Sequence, residues 1–285
     1  MPGIATILGY LERVPNMAHT ESFFDSAGIR IRYVAHGGGE PVVLVHSYAG
    51  DLEGQWVKSG ILDALAARHR VIAFDVRGHG KSDKPHDPAA YGAETAWDIA
   101  RLLDHLGIAR AHIIGYSMGA HIVAQLLTLA PARFLTATLG GACGRLCWTA
   151  EDDVRAEKEA QEMERGLLST QLLRLRPAGE PRPDVAELRA RSAEILAGKD
   201  HRALAAMRRA NRLQLVTAEQ IADAGVPVLG IVGSADPYRA RFETLHERMP
   251  ELNLVVLDRA THLSASAHPE FVPSILTFLR SHTSA

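Results

Sequence analysis

The sequence predicts an α/β protein with a mostly parallel, twisted sheet that is flanked by helices and interrupted by an inserted, all-helical segment. Apolar runs of strand length alternate with helical patterns along most of the chain, which is typical of a parallel sheet with crossover helices. The alternation breaks once, at residues 144–216, where no strand is evident. At residues 112–119, a strand pattern leads through Gly-x-Ser-x-Gly directly into a helical pattern. These observations together predict the architecture.

The expected strands and helices follow one another in a regular order. Alternating hydrophobicity on both sides of Asp25–Gly28 predicts an antiparallel hairpin that leads into the sheet. Strands are expected at Ile29–Ala35, Val42–His46, Val71–Asp75, His112–Tyr116, Phe134–Leu139, Val226–Val232 and Asn253–Leu257. Helices are expected at Leu52–Arg68, Glu94–Leu106, Met118–Ala130, Arg239–Met249 and Pro269–Arg280.

The inserted segment is expected to contain three helices. The first follows Thr149, which forms a Thr-x-x-Asp capping box with Asp152, and the others cover Val185–Ala197 and Arg202 to about Leu213. Residues 151–164 hold seven acids and two bases, whereas residues 201–212 hold four arginines and no acid. Such segregated charges indicate either solvated faces or two helices that pair, and both interpretations stay open.

The domain organisation follows from these patterns. Residues 1–20 are expected to form an N-terminal extension, with a short amphipathic helix within residues 1–16. Residues 21–143 and 217–285 are expected to form the α/β core. Residues 144–216 are expected to form a helical cap, because an all-helical insertion in an α/β chain is a candidate lid.

Composition excludes several classes of partner. Lys and Arg total 31 against 33 Asp and Glu in 285 residues, so no overall field attracts nucleic acid or an anionic membrane. No run approaches the roughly 20 apolar residues of a membrane span. Cys143 and Cys147 are too few for a disulfide framework or a four-ligand zinc site, which favours reduced thiols in a cytoplasmic protein. We expect a small-molecule partner and no metal, and leave homo-oligomerisation open.

The motif Gly115-Tyr116-Ser117-Met118-Gly119 predicts a nucleophilic serine. Ser117 is expected on a strained turn between strand and helix, and the two glycines leave room for the close approach of these segments. The amino terminus of the following helix supplies partial positive charge where an oxyanion would form.

A serine nucleophile needs a base and an orienting acid, and both are expected downstream. Asp236 follows the strand Val226–Val232, and His262 follows the last strand, so both lie at the edge of the sheet that holds Ser117. Asp258 is the alternative acid, but it is four residues from His262 and precedes the loop, so its carboxylate is not expected to reach the imidazole. The catalytic residues predicted are therefore Ser117, Asp236 and His262.

These motifs resemble the α/β-hydrolase superfamily from about Glu21 to Arg280. The matching pieces, in the family's order, are LVHSYAG, FDVRGHGKS, IIGYSMGAH, GSADP and ATHL. The resemblance implies an oxyanion hole made by the backbone N–H groups of Tyr48 and Met118, with Ser47 in place of the family's glycine. It also implies that His46 braces this loop. His121, one helical turn after Ser117, borders the site or packs behind it.

The predicted reaction is acyl transfer to water, and we expect a carboxylic-ester hydrolase for small to medium acyl chains. One alternative is a serine-dependent C–C bond hydrolase of aromatic ring-cleavage products, and another is a non-catalytic small-molecule receptor on the same fold. No cofactor is expected, because Gly37-Gly38-Gly39 precedes a strand and lacks the strand-then-helix setting of a phosphate or dinucleotide loop.

The composition of the inserted segment predicts the character of the pocket. From Thr149 to Asp236 the chain has no Phe, Tyr or Trp but many leucines. Many of these leucines are expected to pack the helices against each other. Those that face Ser117 would form aliphatic walls that favour acyl chains of about four to eight carbons.

Overall fold

The computed structural model describes residues 19–283. The amphipathic helix predicted within residues 1–16 lies outside the described residues, as does nearly all of the predicted extension.

Within the described range, eight strands form one sheet in the order β1-β2-β4-β3-β5-β6-β7-β8. The strands are β1 Glu21–Ser26, β2 Ile29–His36, β3 Pro41–Val45, β4 Arg70–Phe74, β5 Ala111–Tyr116, β6 Phe134–Gly140, β7 Val228–Gly233 and β8 Asn253–Leu257. The pairs β1–β2 and β2–β4 are antiparallel, and the remaining pairs are parallel. The carboxyl ends of β3 to β8 therefore meet at one edge.

Ten α-helices connect or follow these strands in the described part of the chain. They are α1 Ile61–Ala66, α2 Ala93–His105, α3 Met118–Leu129, α4 Ala150–Glu164, α5 Ser169–Arg174, α6 Val185–Leu196, α7 His201–Arg209, α8 Ala218–Asp223, α9 Arg239–Arg248 and α10 Phe271–Arg280. No helix among residues 19–283 is both long and apolar enough to cross a membrane.

Side chains on the two faces of the sheet form separate cores. Alternate residues of β5 show this division, since Ile113 packs with α2, α3, α8 and α9 while Ile114 packs with α1 and α10. Buried aromatic side chains, among them Trp56 and Phe271, fill the second core. The predicted fold, an α/β sheet with helices on both faces and an inserted helical segment, is confirmed.

Most predicted strands and helices lie within two residues of their expected bounds, but one predicted helix is wrong. Leu52–Arg68 is a single π-helical turn, Glu53–Val57, followed by the separate helix α1. Gly60 has a left-handed φ of 75° between them and breaks the helical path.

Two short helices were absent from the sequence prediction. Helices α5 and α8 have six residues each, which is too short for a helical period to stand out. For α8 there was a signal, because Thr217 and Gln220 form a capping box at its start.

Helices α4 to α7 lie between β6 and β7 and enclose a small core of their own. Met163, Leu168, Leu196 and Leu204 belong to this core, and Ala49 from the loop after β3 joins it. The predicted capping box at Thr149 and Asp152 is present at the start of α4.

The acidic helix α4 pairs with the basic helix α7. Arg209 forms ion pairs with Glu157 at 2.9 Å and with Glu164 at 2.6 Å. Arg208 lies 3.2 Å from Glu159, and this pair is buried. Of the two interpretations of the segregated charges, helix pairing is therefore the one the structure shows.

Candidate active site

Ser117 lies on a sharp turn between β5 and α3, with φ 54° and ψ −107°. Its backbone N–H donates to the carbonyl of Gly140 at 2.7 Å, which ties the turn to β6. A Cβ at Gly115 would lie 2.4 Å from the backbone of Gly119, and one at Gly119 would lie 2.1 Å from the carbonyl oxygen of Val45. The two glycines of the motif are thus required by the close approach of β5, α3 and β3.

A chain of hydrogen bonds joins the three residues predicted to be catalytic. Ser117 Oγ lies 2.8 Å from Nε2 of His262, and Nδ1 of His262 lies 2.9 Å from Oδ2 of Asp236. The side chains of His262 and Asp236 are almost fully buried. With Nδ1–H donating to the carboxylate, Nε2 is free to accept the serine proton.

The other oxygen of Asp236 also has a partner, which fixes the carboxylate plane. Oδ1 accepts the backbone N–H of Tyr238 at 2.8 Å. The alternative acid, Asp258, is largely exposed and pairs with Arg259 at 3.1 Å. The structure therefore brings Asp236, and not Asp258, to the imidazole.

Two tyrosines that the sequence analysis did not single out hold His262 in place. The hydroxyl of Tyr116 donates to the carbonyl oxygen of His262 at 2.6 Å. The ring of Tyr238 contacts the imidazole edge to face, with centroids 5.4 Å apart. Their positions carried a signal, because Tyr116 precedes the serine and Tyr238 is two residues after the acid.

The loop after β3 places a backbone donor beside Ser117. The N–H and the hydroxyl of Ser47 both donate to Oε1 of Gln55 at 2.7 Å, and the N–H of Gly50 donates to the carbonyl of Ser47 at 3.0 Å. Among the described residues, no protein acceptor receives the N–H of Tyr48. Ser47 does not have a positive φ, so its position has no conformational need for the family's glycine.

Met118 offers the second backbone donor predicted for an oxyanion hole. It is the first residue of α3, so its N–H has no acceptor within the helix. Tyr48, Ser117 and Met118 line the same cavity. The two residues that carry the predicted donors thus line the same cavity as the serine.

His46 braces the loop after β3, as the sequence predicts, and lies outside the hydrogen-bond chain of Ser117. Its Nε2 accepts the N–H of Val76 at 3.0 Å, so the ring proton is on Nδ1 and is donated to the carbonyl of Ser47 at 2.8 Å. Burial lowers the pKa of His46, which favours the neutral ring.

His121 borders the site. It lines the cavity next to Ser117, is 9% exposed, and its Nδ1 has no hydrogen-bond partner among residues 19–283. Burial lowers its pKa well below the usual value, and the nearby arginines, Arg145 first, add to this effect. Of the two predicted roles, the structure therefore shows that of a residue at the border of the site.

Ser117 lies between two cavities of about 350 Å³ each. One, which we call the arginine cavity, is defined by Arg145, Arg155, Arg174, Arg208 and Arg241. The other, the open cleft, is defined by Ser47, Gln55, Lys199, His262 and Leu263.

The prediction of aliphatic pocket walls is wrong. Leu175 lines the arginine cavity, but Leu168, Leu196 and Leu204 pack in the core between the inserted helices. Leu213 is 55% exposed. Five arginines line this cavity instead, and Trp148 and Tyr238 supply aromatic walls from just outside the inserted helices.

One group of side chains has the composition of a metal site. Ligand atoms of His19, His36 and Asp63 all lie within 4.8 Å of one another. His36 pairs with Val71 at the start of β4, whereas Ser117 follows the end of β5, so the group is at the opposite edge of the sheet. It plays no part in the site around Ser117.

Comparison with known proteins agrees with this architecture. A family model described as the alpha/beta hydrolase fold matches residues 40–212, more than half of the chain. This chain belongs to the alpha/beta hydrolase family.

Individual relatives show how far the likeness extends. A 3-oxoadipate enol-lactonase from Acinetobacter baylyi is 29% identical over 248 residues, which cover 85% of this chain and 89% of that protein. An acetyltransferase component of the acetoin cleaving system of Cupriavidus necator is 42% identical over 118 residues, but these cover 41% of this chain and 30% of that protein. A thermophilic esterase from Thermogutta terrifontis has the same fold, with a TM-score of 0.76, 22% identity, and coverage of 93% of this chain and 99% of that one.

Proposed function

We propose that this chain is a serine hydrolase that cleaves carboxylic esters, cyclic esters included, through an acyl-enzyme intermediate. The observation that carries the proposal is the hydrogen-bond chain from Ser117 Oγ through His262 to Asp236, which opens into two cavities. A relative that matches 85% of this chain is named an enol-lactonase, and a lactone is a cyclic ester.

Acylation would begin when an ester carbonyl carbon approaches Ser117 Oγ. The serine proton moves to Nε2 of His262 as the new C–O bond forms, and the carboxylate of Asp236 stabilises the resulting imidazolium. The N–H groups of Tyr48 and Met118 are the proposed donors to the oxyanion, and the amino terminus of α3 adds partial positive charge. A preorganised donor of this kind contributes about 3 kcal/mol in related chemistry.

The imidazolium of His262 then protonates the alkoxide oxygen as the ester C–O bond breaks, which leaves the acyl group on Ser117. Water takes the place of the leaving group, and its proton moves to Nε2 of His262 as the oxygen attacks the acyl carbon. Collapse of the second tetrahedral intermediate releases the carboxylic acid and returns the proton to Ser117. The two cavities provide separate spaces for the acyl and alcohol parts.

We also propose that residues 144–216 act as a cap on this site. Arg155 and Glu159 from α4, Arg174 from α5 and Arg208 from α7 line the arginine cavity next to Ser117. Tyr48 links the cap to the core, since its hydroxyl donates to the carbonyl of Leu204 at 2.7 Å.

Covalent labelling tests the proposed nucleophile. A fluorophosphonate is expected to add once to the wild-type chain and to abolish hydrolysis of 4-nitrophenyl acetate, because the activated hydroxyl attacks phosphorus as it would attack a carbonyl. Intact mass gives the stoichiometry. Ser117→Ala should not be labelled, whereas the matched control Ser266→Ala, which alters a serine of the open cleft, should react like the wild type. Equal labelling of wild type and Ser117→Ala would overturn the assignment.

A substrate panel separates the proposed reaction from its alternatives. Esters, an amide and a ring-cleavage dienone are compared at equal enzyme concentration. Faster turnover of the dienone than of all esters would identify a C–C bond hydrolase, and binding without any turnover or labelling would identify a receptor.

A further inference from the structure

The arginine cavity carries a strong excess of positive charge. Five arginines line it, and the acidic residues on the same wall are Asp152 and Glu159, so the formal excess is three charges. The chain as a whole has a formal net charge of −2. The positive charge is therefore concentrated locally, beside Ser117, and does not follow from the composition.

Three of the five arginines have acidic partners inside the protein. Arg155 pairs with Asp152. Arg174 and Arg208 share Glu159, with N–O distances of 3.0 and 3.2 Å. These pairs hold the cavity wall together, and because two arginines share one carboxylate they leave one positive charge unbalanced.

Arg145, which is half-buried, and Arg241, which is exposed, have no such partner. Among residues 19–283, no carboxylate lies within ion-pair distance of either guanidinium. The best polar neighbour of Arg145 is the amide oxygen of Gln214, at 3.4 Å, and its guanidinium carbon lies 5.9 Å from the ring of Trp148. Burial, with the charges of Arg208 and Arg174, lowers the pKa of Arg145 to about 9. A cation in this position is costly without a counter-ion.

His121 gives an independent sign of a missing ligand. Its buried Nδ1 has no partner in the described structure, although the ring lines the same cavity as Arg145. Buried polar nitrogens are nearly always hydrogen-bonded in native proteins. A neutral imidazole can donate one N–H to an anionic oxygen, which would complete the polar set on this wall.

Building on the esterase activity proposed above, we propose that the substrate of Ser117 carries a carboxylate group, which Arg145 binds in the arginine cavity with support from Arg241 and His121. A guanidinium fits the two oxygens of a carboxylate with two parallel N–H donors. A cavity of about 350 Å³ accommodates a small carboxylic acid. The substrate class that follows is an anionic ester or lactone.

Two pairs of esters test the proposal in the working enzyme. Mono-4-nitrophenyl adipate carries a carboxylate on the acyl side, and 4-nitrophenyl heptanoate is its neutral counterpart of similar length. Similarly, 4-acetoxybenzoate carries the carboxylate on the alcohol side, and its methyl ester is neutral. In at least one pair, kcat/KM of the carboxylate ester is expected to be about tenfold to hundredfold higher, as charge-assisted hydrogen bonds allow.

Arg145→Gln is expected to erase this preference, chiefly by raising KM for the carboxylate ester. The matched control is Arg212→Gln, since Arg212 is an exposed arginine of the inserted segment that does not line the cavity. This variant should keep the wild-type ratio. Wild-type preference for the neutral ester in both pairs, or an unchanged ratio in Arg145→Gln, would overturn the proposal.

A binding measurement tests the carboxylate site independently of ester hydrolysis. Calorimetric titration of Ser117→Ala with adipate should give binding at least tenfold tighter than with neutral adipamide, and Arg145→Gln should weaken adipate binding by about tenfold. Equal binding of adipate and adipamide overturns the site, and tighter binding of inorganic phosphate than of adipate identifies a phosphate site instead. Adipate binding by a chain that is not labelled at Ser117 would show that the proposed esterase activity fails while the carboxylate site stands.

Discussion

The backbone of Ser117 has a strained conformation that its neighbours hold in place. A non-glycine residue with φ 54° and ψ −107° costs about 1–3 kcal/mol, and it persists when the surroundings determine it. Here the N–H of Ser117 is fixed to Gly140, and glycines at 115 and 119 permit backbone contacts that any Cβ would prevent. In this conformation Oγ of Ser117 lies 2.8 Å from Nε2 of His262.

Replacing the buried carboxylate of Asp236 should impair the orientation of the His262 ring without unfolding the protein. Asp236→Asn is expected to lower kcat by about 10⁴-fold, because an amide at this position favours the wrong imidazole tautomer and cannot stabilise the imidazolium. Hydrolysis of 4-nitrophenyl acetate measures kcat, and circular dichroism checks the fold. Asp258→Asn is the control, since that carboxylate is exposed and contacts Arg259. A larger loss in Asp258→Asn than in Asp236→Asn would show that the wrong acid was chosen.

Single residues also show what the sequence predicts well and what it does not. Ser117, Asp236 and His262 could be located because each follows a strand, and parallel strands bring their carboxyl ends together. The arginine cavity could not be located in this way. Arg145, Arg174 and Arg241 belong to three separate segments, and whether such a side chain points inward depends on how those segments pack. The two interpretations of the segregated charges, solvated faces and helix pairing, did not place any arginine beside Ser117.

Helices α4 and α7 are held together at two depths. Near the surface, Arg209 pairs with Glu157 and Glu164, and the side chains on both sides are substantially exposed. Deeper, the side chain of Glu159 is 6% exposed and pairs with two arginines, Arg174 and Arg208. Burial raises the pKa of Glu159, but Arg208 and Arg174 outweigh this and lower it below the usual value, so the carboxylate stays ionised.

Two conservative substitutions should show that the buried ion pairs contribute more to stability than the exposed ones. Glu159→Gln is expected to destabilise the protein by about 3 kcal/mol or more, because it leaves Arg208 and Arg174 buried without a counter-ion. Glu157→Gln is the matched control on the same helix, and the loss of its exposed ion pair should cost less than about 1 kcal/mol. Urea unfolding at pH 7 gives both values. Equal costs would mean that the deeper pair is as well solvated as the outer one.

The sequence predicted helices and strands best where polar residues or turns mark both ends of an apolar pattern. The strand β8 has the expected bounds because a short apolar run, Leu254–Leu257, lies between the polar residues Asn253 and Asp258. The segment from Leu52 to Arg68 has a helical pattern throughout, but Gly60 redirects the chain, and a pattern of side chains does not report a backbone angle. Helix α5 was missed because six residues give fewer than two turns.

Burial at the carboxyl edge of the sheet also keeps three histidine rings uncharged. His46, His79 and His121 are buried around the carboxyl edge of the sheet. His79 accepts the N–H of Ala49 at Nε2, at 3.2 Å, and the N–H on its other nitrogen faces the carbonyl of Arg77. For all three, burial lowers the pKa, most strongly for His79 and His121. The folded state therefore keeps these rings neutral at pH values where free histidine would be protonated.

Stability should consequently decrease as the solution becomes mildly acidic. Above a pH of about 6.5, the ordinary pKa of histidine, neither state protonates these rings, so their contribution to stability is fully present. As the pH falls below that value, the unfolded chain binds protons that the folded state excludes. The free energy of unfolding should then fall by about 1.4 kcal/mol per pH unit for each histidine that stays neutral.

Urea unfolding at intervals from pH 8 to pH 5 measures the slope. His79→Gln should reduce this slope by about 1.4 kcal/mol per pH unit, the contribution of one proton. His246→Gln, on the exposed side of α9, should leave the slope unchanged. A flat profile between pH 7 and pH 5 would contradict the neutral, buried state of these rings.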